Sequence, residues 1–525
     1  MFVISQERPL IFTTPVKAGD EGMKESFFGS RRFVNLILVG IFILGLGIRL
    51  LDLTDLPREF GDQRQMYSFI KARGMYYQLA KDIPEWKREV AVQQWKEQSA
   101  LEPPVFERIM AFSYLLFGEH MWFARIYSAI FWLAGGVALF LLARRLTSTD
   151  GALVSLLYYV FLYLAILASR SFQPDPLMIA LGVYALWAFD HWIESNSWKW
   201  ALATGLLSGA AIFVKPPIMG FFLLGAFGAT LLARLGLKSA LQSRQVWSVV
   251  ILTALPTALY LMIGIFVTHS LRQQTALRFF PELWTEGAFY VRWNNLIGNT
   301  AGAGAFLLSL LAIFVAEPRR FRPILIGLWL GYLAYGFTLS HHVSTHNYYQ
   351  LPAIMIIALS LSAIGEVVFR RMRELYPSSI TARLAVLLII LFAISAEMWD
   401  VRVLLARNDY RSEVQHWEML GDKLGHTTPV LGLTENNYLA YWGFQNVESW
   451  YLAADINLRE KVKPNFDIKA EFLERIEGKK YFVVTLADQF DSQPEIKDFV
   501  TQTYPVYEQG PGYIIYDLEH PLTTP

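Results

Sequence analysis

Cysteine is absent from this 525-residue sequence, and charged residues are scarce. The lack of cysteine excludes disulfide bonds, thiolate metal sites and thiol nucleophiles. Charged residues make up 17% of the chain, whereas a soluble protein carries about a quarter. Hydrophobic residues make up 54%, so the composition is that of a membrane protein. The net charge of +1 argues against a nucleic-acid partner.

Several motifs and signals are also missing. The chain has no phosphate-cradling glycine loop, GxSxG elbow or HExxH helix, so nucleotide hydrolysis, serine hydrolysis and zincin chemistry lack support. Residues 1–32 are polar and contain no apolar core followed by a small-residue cleavage site. We therefore expect no cleaved signal peptide, with the first apolar segment kept as an anchor.

Long apolar runs are what the sequence does contain. A membrane-spanning helix needs about 20 apolar residues. Eleven segments fit this rule: 33–53, 123–143, 151–169, 176–193, 200–215, 217–233, 246–268, 296–316, 323–340, 351–369 and 384–401. Segment 105–118 is shorter and contains Glu107 and Arg108, which favours an amphipathic helix on the membrane surface.

The arginine and lysine clusters predict the orientation. If segment 105–118 does not cross, the clusters in the connections share one side with Arg31 and Arg32, as the positive-inside rule requires. If segment 105–118 crosses the membrane, the later clusters no longer share one side with Arg31 and Arg32. We therefore predict about 11 transmembrane helices, a cytoplasmic N-terminal segment (1–32) and an outward-facing C-terminus.

The tail of the chain differs from the apolar part. Short β-like runs (PVLGL, YFVVTL and YIIYDL) alternate there with helix-like stretches. The predicted architecture is a polytopic helical membrane domain over 33–403, with a long first outer loop at 54–122, followed by a small α/β domain over 404–525 on the non-cytoplasmic side. The protein is expected in the cell membrane.

Ionisable residues collect in the predicted outer connections. They are Asp62, Arg64 and Glu102 in loop 54–122; Asp175 in 169–176; Lys215 at a span junction; Arg272, Arg278 and Arg292 in 269–295; and His341, His342, His346 and Tyr349 in 341–350. Each alone has a simple structural interpretation: Asp175 can cap a helix, and Lys215 can snorkel at the interface. Their shared position at the ends of spans instead suggests a site for an anionic, lipid-linked substrate.

These residue types suit transfer of an activated sugar. A carboxylate can accept the proton of an attacking hydroxyl or amine. Arginine and lysine can stabilise a phosphate leaving group. Alternatively, Glu102 with His341, His342 and His346 can contact substrate or bind a divalent cation such as Mg²⁺ or Mn²⁺. No other cofactor is predicted.

The order of these features resembles the GT-C membrane glycosyltransferases, in the bacterial branch related to protein O-mannosyltransferases and the lipid A aminoarabinose transferase. The stretches that carry the resemblance are GDQRQ, EPPVFERIMAFSYLLFGEHMWFARIYSAIFWLAGGVALFLLARRL, SRSFQPDPLMIAL, AAIFVKPP and HNYYQLPAI. They extend from residue 33 to about residue 370. Their order and spacing are more specific than any one motif.

The resemblance implies an activity and roles for individual residues. Such enzymes move a sugar from a polyprenyl phosphate to a lipid, glycan or protein acceptor on the periplasmic or extracellular face, with inversion. Asp62 matches the catalytic acidic residue of the first loop, and Asp175 that of the second. The sequence departs from the family where Gln63 follows Asp62 and where Glu102 replaces a phosphate-binding lysine. Donor phosphate contacts are therefore assigned to Arg64, Lys215, Arg272, Arg278, Arg292 and Tyr349.

Two other functions compete with this one. A transporter or flippase for an anionic or lipid-linked substrate also needs polar groups in the membrane, but transporters place broken helices near the midplane. Here the spans are nearly free of charge at their centres. A membrane scaffold with an outer binding domain would leave Asp62 unexplained. Glycosyl transfer with Asp62 as general base is the favoured hypothesis.

Overall fold

The computed structural model describes residues 26–98, 102–271, 279–377, 379–435, 437–463 and 466–522. Helices dominate up to residue 406. They are α1 Arg31–Arg49, α2 Asp62–Leu79, α3 Glu85–Glu97, α4 Val105–Phe117, α5 Trp122–Leu146, α6 Thr149–Phe161, α7 Tyr163–Ala168, α8 Asp175–Ser195, α9 Trp198–Val214, α10 Ile218–Gln242, α11 Arg244–Met262, α12 Gly287–Ala301, α13 Ala303–Val315, α14 Phe321–Thr338, α15 Ser340–Thr345, α16 Leu351–Leu375 and α17 Ile380–Ala406.

Local sequence explains where several helices begin. The Ser30 hydroxyl accepts a hydrogen bond from the Phe33 amide (3.4 Å) and caps α1. Ser379 caps α17 in the same way, and Pro352 lies in the first turn of α16, where a missing amide hydrogen costs nothing. Within lipid the backbone must satisfy its own hydrogen bonds, which leaves helices as the structure for these apolar runs.

The helices confirm a multi-pass membrane protein. Within the described residues, 7 helices are long and apolar enough to cross a membrane, or 8 if α12 and α13, bent by 97° at Gly302, form one span. These correspond to eight of the predicted segments. The other three fall on the broken pair α6 and α7, the 17-residue α9 and the 18-residue α14. The count of eleven and the orientation stay predictions.

Small residues allow the central helices to pack closely. A Cβ atom added to Gly225 on α10 would lie 2.1 Å from the carbonyl oxygen of Gly327 on α14, so the two backbones touch. Such close approach drives helix association in membranes, where lipid is as apolar as leucine. The resulting bundle is a rigid frame for the connections at its ends.

The predicted first outer loop is mostly helical. It contains α2, α3 and the 13-residue α4, which is too short to span a membrane. One face of α4 buries Phe106 and Met110, while Phe112 and Leu116 are exposed. Both of these faces are apolar, and the position of α4 on the membrane surface stays a prediction.

The C-terminal part forms the predicted small α/β unit. Its five-stranded sheet has the order β2-β1-β3-β5-β4, with β1 parallel to β2 and β3 and with β5 antiparallel to β3 and β4. The strands are β1 Val430–Leu433, β2 Val447–Ser449, β3 Tyr481–Val484, β4 Val506–Gly510 and β5 Tyr513–Asp517. The helices are α18 Glu413–Leu424, α19 Tyr438–Tyr441, α20 Ala453–Val462, α21 Ile468–Ile476, α22 Ala487–Asp491 and α23 Pro494–Thr503. Three strands match the predicted runs, whereas β2 and β4 were not predicted.

This C-terminal unit packs directly on α2. The rings of Phe69 and Tyr441 are 6.1 Å apart in a shared apolar cluster. The buried Arg73 guanidinium donates to the carbonyl oxygen of Ala440 (3.2 Å) and lies over the rings of Tyr441 and Phe444. The middle of α2 is thereby fixed against the C-terminal unit.

Candidate active site

A cavity of about 230 Å³ lies where four separate segments meet. We call it the Arg64 cavity. It is lined by Arg64, Glu102, Lys215, Pro216, Ile218, Leu339, His341, His342, His346, Tyr348 and Tyr349. Seven of these residues were predicted from the sequence as site residues, although more than a hundred positions separate some of them. The structure places these seven side chains around one cavity, while their roles stay predictions.

Several lining residues lie where a helix ends. Lys215 follows the last residue of α9, and the two prolines after it interrupt the helical path before α10. The histidines lie on α15 and just after it. That segment is held by the buried Gln350, which donates to the Val343 carbonyl (2.6 Å) and accepts from the Tyr332 hydroxyl (2.6 Å).

Arg64 forms a buried ion pair with Glu102 across the cavity wall. The Arg64 guanidinium and the Glu102 carboxylate are 2.7 Å apart. Burial alone would raise the pKa of Glu102, but the charges of Arg64 and Lys215 outweigh it and lower that pKa. Arg64 also donates to the Ser68 hydroxyl (3.2 Å), which in turn donates to Glu107 (2.9 Å). The result is a connected polar network between α2 and α4.

Lys215 forms a second buried ion pair, with Asp175. The Lys215 ammonium and the Asp175 carboxylate are 2.7 Å apart, and their side chains are 7% and 1% exposed. The ammonium also lies 5.2 Å and 5.4 Å from the ring centroids of Tyr348 and Tyr349. The N-cap position of α8 is Pro174, so Asp175 is not the N-cap residue considered from the sequence. Burial also rules out a snorkelling role for Lys215.

Asp62 is the first residue of α2 and does not line the Arg64 cavity. Its side chain is half-buried, and one carboxylate oxygen accepts from the Gln63 amide (2.8 Å). Burial raises the pKa of Asp62; the nearby Glu435 also raises it, whereas the Gln63 amide and Arg58 lower it. The Asp62 carboxylate therefore faces charged groups that include one from the C-terminal unit.

The loops that carry Asp62 and Asp175 touch each other. Gly61 has φ +57°, and a Cβ atom there would lie 2.5 Å from Nε2 of Gln173. Gln65, one turn into α2, accepts a hydrogen bond from the Phe172 amide (2.8 Å). The contact requires glycine at position 61 and brings the two predicted catalytic acids to adjoining segments.

The three histidines lie close together. Ring centroids of His341 and His346 are 6.4 Å apart, and those of His342 and His346 are 6.0 Å apart. Burial lowers the pKa of both His341 and His346. Among the described residues, three ligand atoms within 4.8 Å of one another occur at Asp517, Glu519 and His520 instead. Because Glu102 is paired with Arg64 and the remaining ligands are imidazole nitrogens, the donor set does not fit Mg²⁺ or Mn²⁺, which prefer oxygen ligands.

Of the predicted arginines of connection 269–295, only Arg292 belongs to the described residues, and it does not line the Arg64 cavity. Arg292 lies on α12, is 46% exposed and is 4.0 Å from Glu286. It therefore lies in a helix that begins at Gly287 and not in an irregular loop, while its outward position stays a prediction. Arg272 and Arg278 lie outside the described residues.

Several residues of the network were not predicted. Lys71 is buried, lies 4.5 Å from the ring centroid of Tyr67, and has a pKa lowered by burial. Arg64, Ser68 and Lys71 are spaced as residues on one helical face, which is the sequence signal that could have identified them. Arg58 pairs with Glu413 and, at 2.7 Å, with Glu435; no local pattern indicates this contact with the C-terminal unit.

Comparisons with known proteins relate this geometry to a fold. The model of the dolichyl-phosphate-mannose-protein mannosyltransferase family matches residues 101–263. A crystal structure of ArnT from Cupriavidus metallidurans bound to undecaprenyl phosphate is 15% identical, with a TM-score of 0.57, covering 92% of this chain and 98% of that one. The Archaeoglobus fulgidus oligosaccharyltransferase tethered to an acceptor peptide is 11% identical, with a TM-score of 0.53, covering 93% and 74%.

A second structure of the archaeal enzyme and a search of curated sequences were also compared with this chain. The same archaeal enzyme has been solved as a complex with Zn and sulfate, with a TM-score of 0.50 and 12% identity over 92% of this chain and 73% of that one. A search of curated protein sequences found no match. The predicted helical membrane fold with a small C-terminal sheet is confirmed, and this fold is similar to those of the solved C. metallidurans and A. fulgidus proteins.

Proposed function

We propose that this chain, which has the GT-C fold and is related to O-mannosyltransferases and the aminoarabinose transferase, transfers a sugar from a polyprenyl phosphate to an acceptor at the outer membrane surface. The observation that carries the proposal is the Arg64 cavity, which places Arg64 and Lys215 beside each other at the end of a membrane bundle. Two fixed cations at the lipid surface suit a lipid-linked phosphate. The C. metallidurans ArnT structure contains undecaprenyl phosphate, which supports the same class of donor.

In this proposal the donor phosphate binds at the cavity face of Arg64 and Lys215. Both cations already have carboxylate partners at 2.7 Å. A guanidinium has five donor hydrogens and an ammonium three, so each can hold its carboxylate and still donate to phosphate. The carboxylates fix the cations in place before the donor arrives, which is how a preorganised site stabilises developing charge.

Asp62 serves as the general base. Asp175 is committed to Lys215 in a buried ion pair, so protonating it would leave that lysine uncompensated. Asp62 is half-buried, and burial raises its pKa, which makes its carboxylate a better proton acceptor. We assign Asp175 the role of positioning Lys215.

The reaction then balances as a single displacement. The acceptor hydroxyl or amine gives its proton to Asp62 as its oxygen or nitrogen bonds to the anomeric carbon. The bond between that carbon and the phosphate oxygen breaks, and its electron pair leaves with the polyprenyl phosphate. Attack opposite the leaving group inverts the anomeric configuration. Arg64 and Lys215 stabilise the negative charge that develops on the phosphate.

Mass spectrometry of the cell envelope tests the proposed function. Cells that lack the gene should lose one sugar from a glycolipid, glycan or glycoprotein. The unaltered gene should restore that sugar, Asp62→Asn should not, and Asp82→Asn, an exposed acid of the same outer segment, should restore it. An unchanged envelope in the deletion strain, over all three classes of molecule, would contradict the proposal.

A further inference from the structure

A second, larger cavity lies between the first outer segment and the C-terminal unit. Its volume is about 400 Å³, within the range of about 300–1,000 Å³ that is usual for small-molecule sites. We call it the Lys87 cavity. Its walls come from α2, α3, the start of α5 and α18, together with the residues that follow α19. No strand contributes to the described lining, so the cavity offers no sheet edge for an extended peptide.

Helix α2 separates the two cavities. Arg64 points to the first cavity, and Ser68 and Lys71 continue its row along the helix. A different row, made of Gln65, Phe69 and Arg73, lines the Lys87 cavity. Residues spaced by three or four share a helical face.

Asp62 begins the row that faces the Lys87 cavity. Asp62 precedes Gln65 by three positions, so the two residues lie within one helical turn, which rises by about 5.4 Å. Its charge also acts on Tyr438 of the C-terminal unit, whose pKa is raised by burial first and by Asp62 second. Asp62, the proposed base, therefore lies at the N-terminal end of α2, the helix that separates the two cavities.

The lining of the Lys87 cavity combines aromatic surfaces with charges of both signs. Trp122 and Phe444 supply aromatic rings, and Lys87 and Glu418 supply opposite charges from the two sides. Within the described part of the chain, neither Lys87 nor Glu418 forms an ion pair, and Nε1 of the lining residue Trp442 is buried without a hydrogen-bond partner. Aromatic walls with a few polar groups are typical of specific ligand sites.

We propose that the Lys87 cavity binds sugar rings of a glycan-bearing acceptor and directs its nucleophile to Asp62. A sugar ring has apolar C–H faces, which pack on aromatic rings, and hydroxyl groups that bond to Lys87, Glu418 and the Trp442 indole. A lipid chain would bury those charges without partners, at high cost. This inference rests on the proposed glycosyl transfer and adds the class of acceptor to it.

The first test separates transfer from donor hydrolysis. Purified enzyme receives a labelled polyprenyl-phosphate sugar, either alone or with membranes from cells that lack the gene, which carry the unmodified acceptor. Lys87→Ala and Glu418→Gln should lower transfer to the membranes about tenfold each, as expected for losing one contact worth 1.4 kcal/mol. Release of free sugar in the absence of membranes should stay unchanged, because hydrolysis needs the Arg64 cavity and Asp62.

Matched controls are available on α3 and in the C-terminal unit. Lys96→Ala on α3 and Glu474→Gln on α21 alter exposed residues outside the cavity lining and should leave both rates unchanged. If the unaltered enzyme shows neither transfer nor hydrolysis, the proposed function fails. If it transfers sugar and both cavity variants match it, the acceptor site alone is wrong.

A second test identifies the occupant. The photoreactive residue p-benzoylphenylalanine replaces Trp122 in the cavity or, as a control, the exposed Trp198 on α9. After irradiation of cells, digestion and mass spectrometry should show carbohydrate-containing adducts at position 122 and none at position 198. A peptide adduct, an adduct of lipid without carbohydrate, or no adduct at position 122 would overturn the assignment.

Discussion

Lys215 and Asp175 form a buried ion pair at 2.7 Å, on two segments that are 40 residues apart in the chain. Removing one member of such a pair leaves an uncompensated buried charge, which costs about 3–5 kcal/mol. Asp175→Asn should therefore lower the free energy of unfolding by that amount, whereas Asp62→Asn should change it little. Thermal unfolding of the purified variants in lipid measures both effects.

A double variant separates stability from chemistry at this pair. Asp175→Asn combined with Lys215→Met removes both charges and should recover most of the lost stability. Donor binding should stay weak, because one phosphate-binding cation is gone. Recovery of full transfer activity by the double variant would show that Lys215 does not bind the donor phosphate.

Arg64 provides a direct test of phosphate recognition. A charge-assisted hydrogen bond contributes about 1.5–3 kcal/mol, so Arg64→Gln should raise the donor KM about ten- to a hundredfold. Arg108→Gln, which alters an exposed arginine on α4, is the matched control. An unchanged donor KM in the Arg64 variant would remove this residue from the donor site.

The pH dependence of transfer should report the ionisation of Asp62. A general base works only when deprotonated, so kcat/KM should fall as the pH drops through the pKa of Asp62. Burial raises this pKa, which places the acid limb above the ordinary aspartate value of about 3.9. Glu435→Gln removes a nearby negative charge and should move the limb to lower pH. Glu477→Gln, an exposed acid of the same unit, should not move it. An acid limb that stays at the same pH or moves to higher pH in the Glu435 variant would contradict the assignment.

The orientation in the membrane is testable with reporter fusions. Positive residues are predicted inside, so a reporter placed after Arg145 should report the cytoplasm and one at the C-terminus should report the outside. Both results are expected because segment 105–118 corresponds to the short helix α4, which cannot span. A cytoplasmic signal from the C-terminal reporter would place the Arg64 cavity on the wrong face for this account.

Seven lining residues of the Arg64 cavity were named from the sequence because they lie in connections that were predicted to face the same side of the membrane. Glu102 and Lys215 are far apart in the chain, but the ends of spans on one side of a membrane necessarily share one layer. Arg292 was assigned to a connection because the hydropathy predicted a span only from residue 296. Helix α12, the first half of a bent helix pair, instead begins at Gly287.

Contacts that depend on docking could not be predicted. Arg58 meets Glu435 only because the C-terminal unit packs on α2, and no periodicity encodes that arrangement. Strands β2 and β4 were missed because one is three residues long and both are largely exposed, so neither shows the buried, apolar pattern of a central strand. Ser68 and Lys71 were not predicted because segment 54–122 was expected to be a loop, whereas their shared face with Arg64 exists only in helix α2.

Transfer by the purified enzyme in lipid, measured with two alternative donors, shows which class of donor the enzyme uses. One sample contains a labelled polyprenyl-phosphate sugar and the other the matching nucleotide sugar, each with membranes from cells that lack the gene. The account predicts transfer from the lipid-linked sugar, no transfer from the nucleotide sugar, and a loss of about 10²–10⁴-fold in Asp62→Asn. Transfer from the nucleotide sugar in the absence of any lipid carrier, or near-normal turnover by Asp62→Asn, would contradict it.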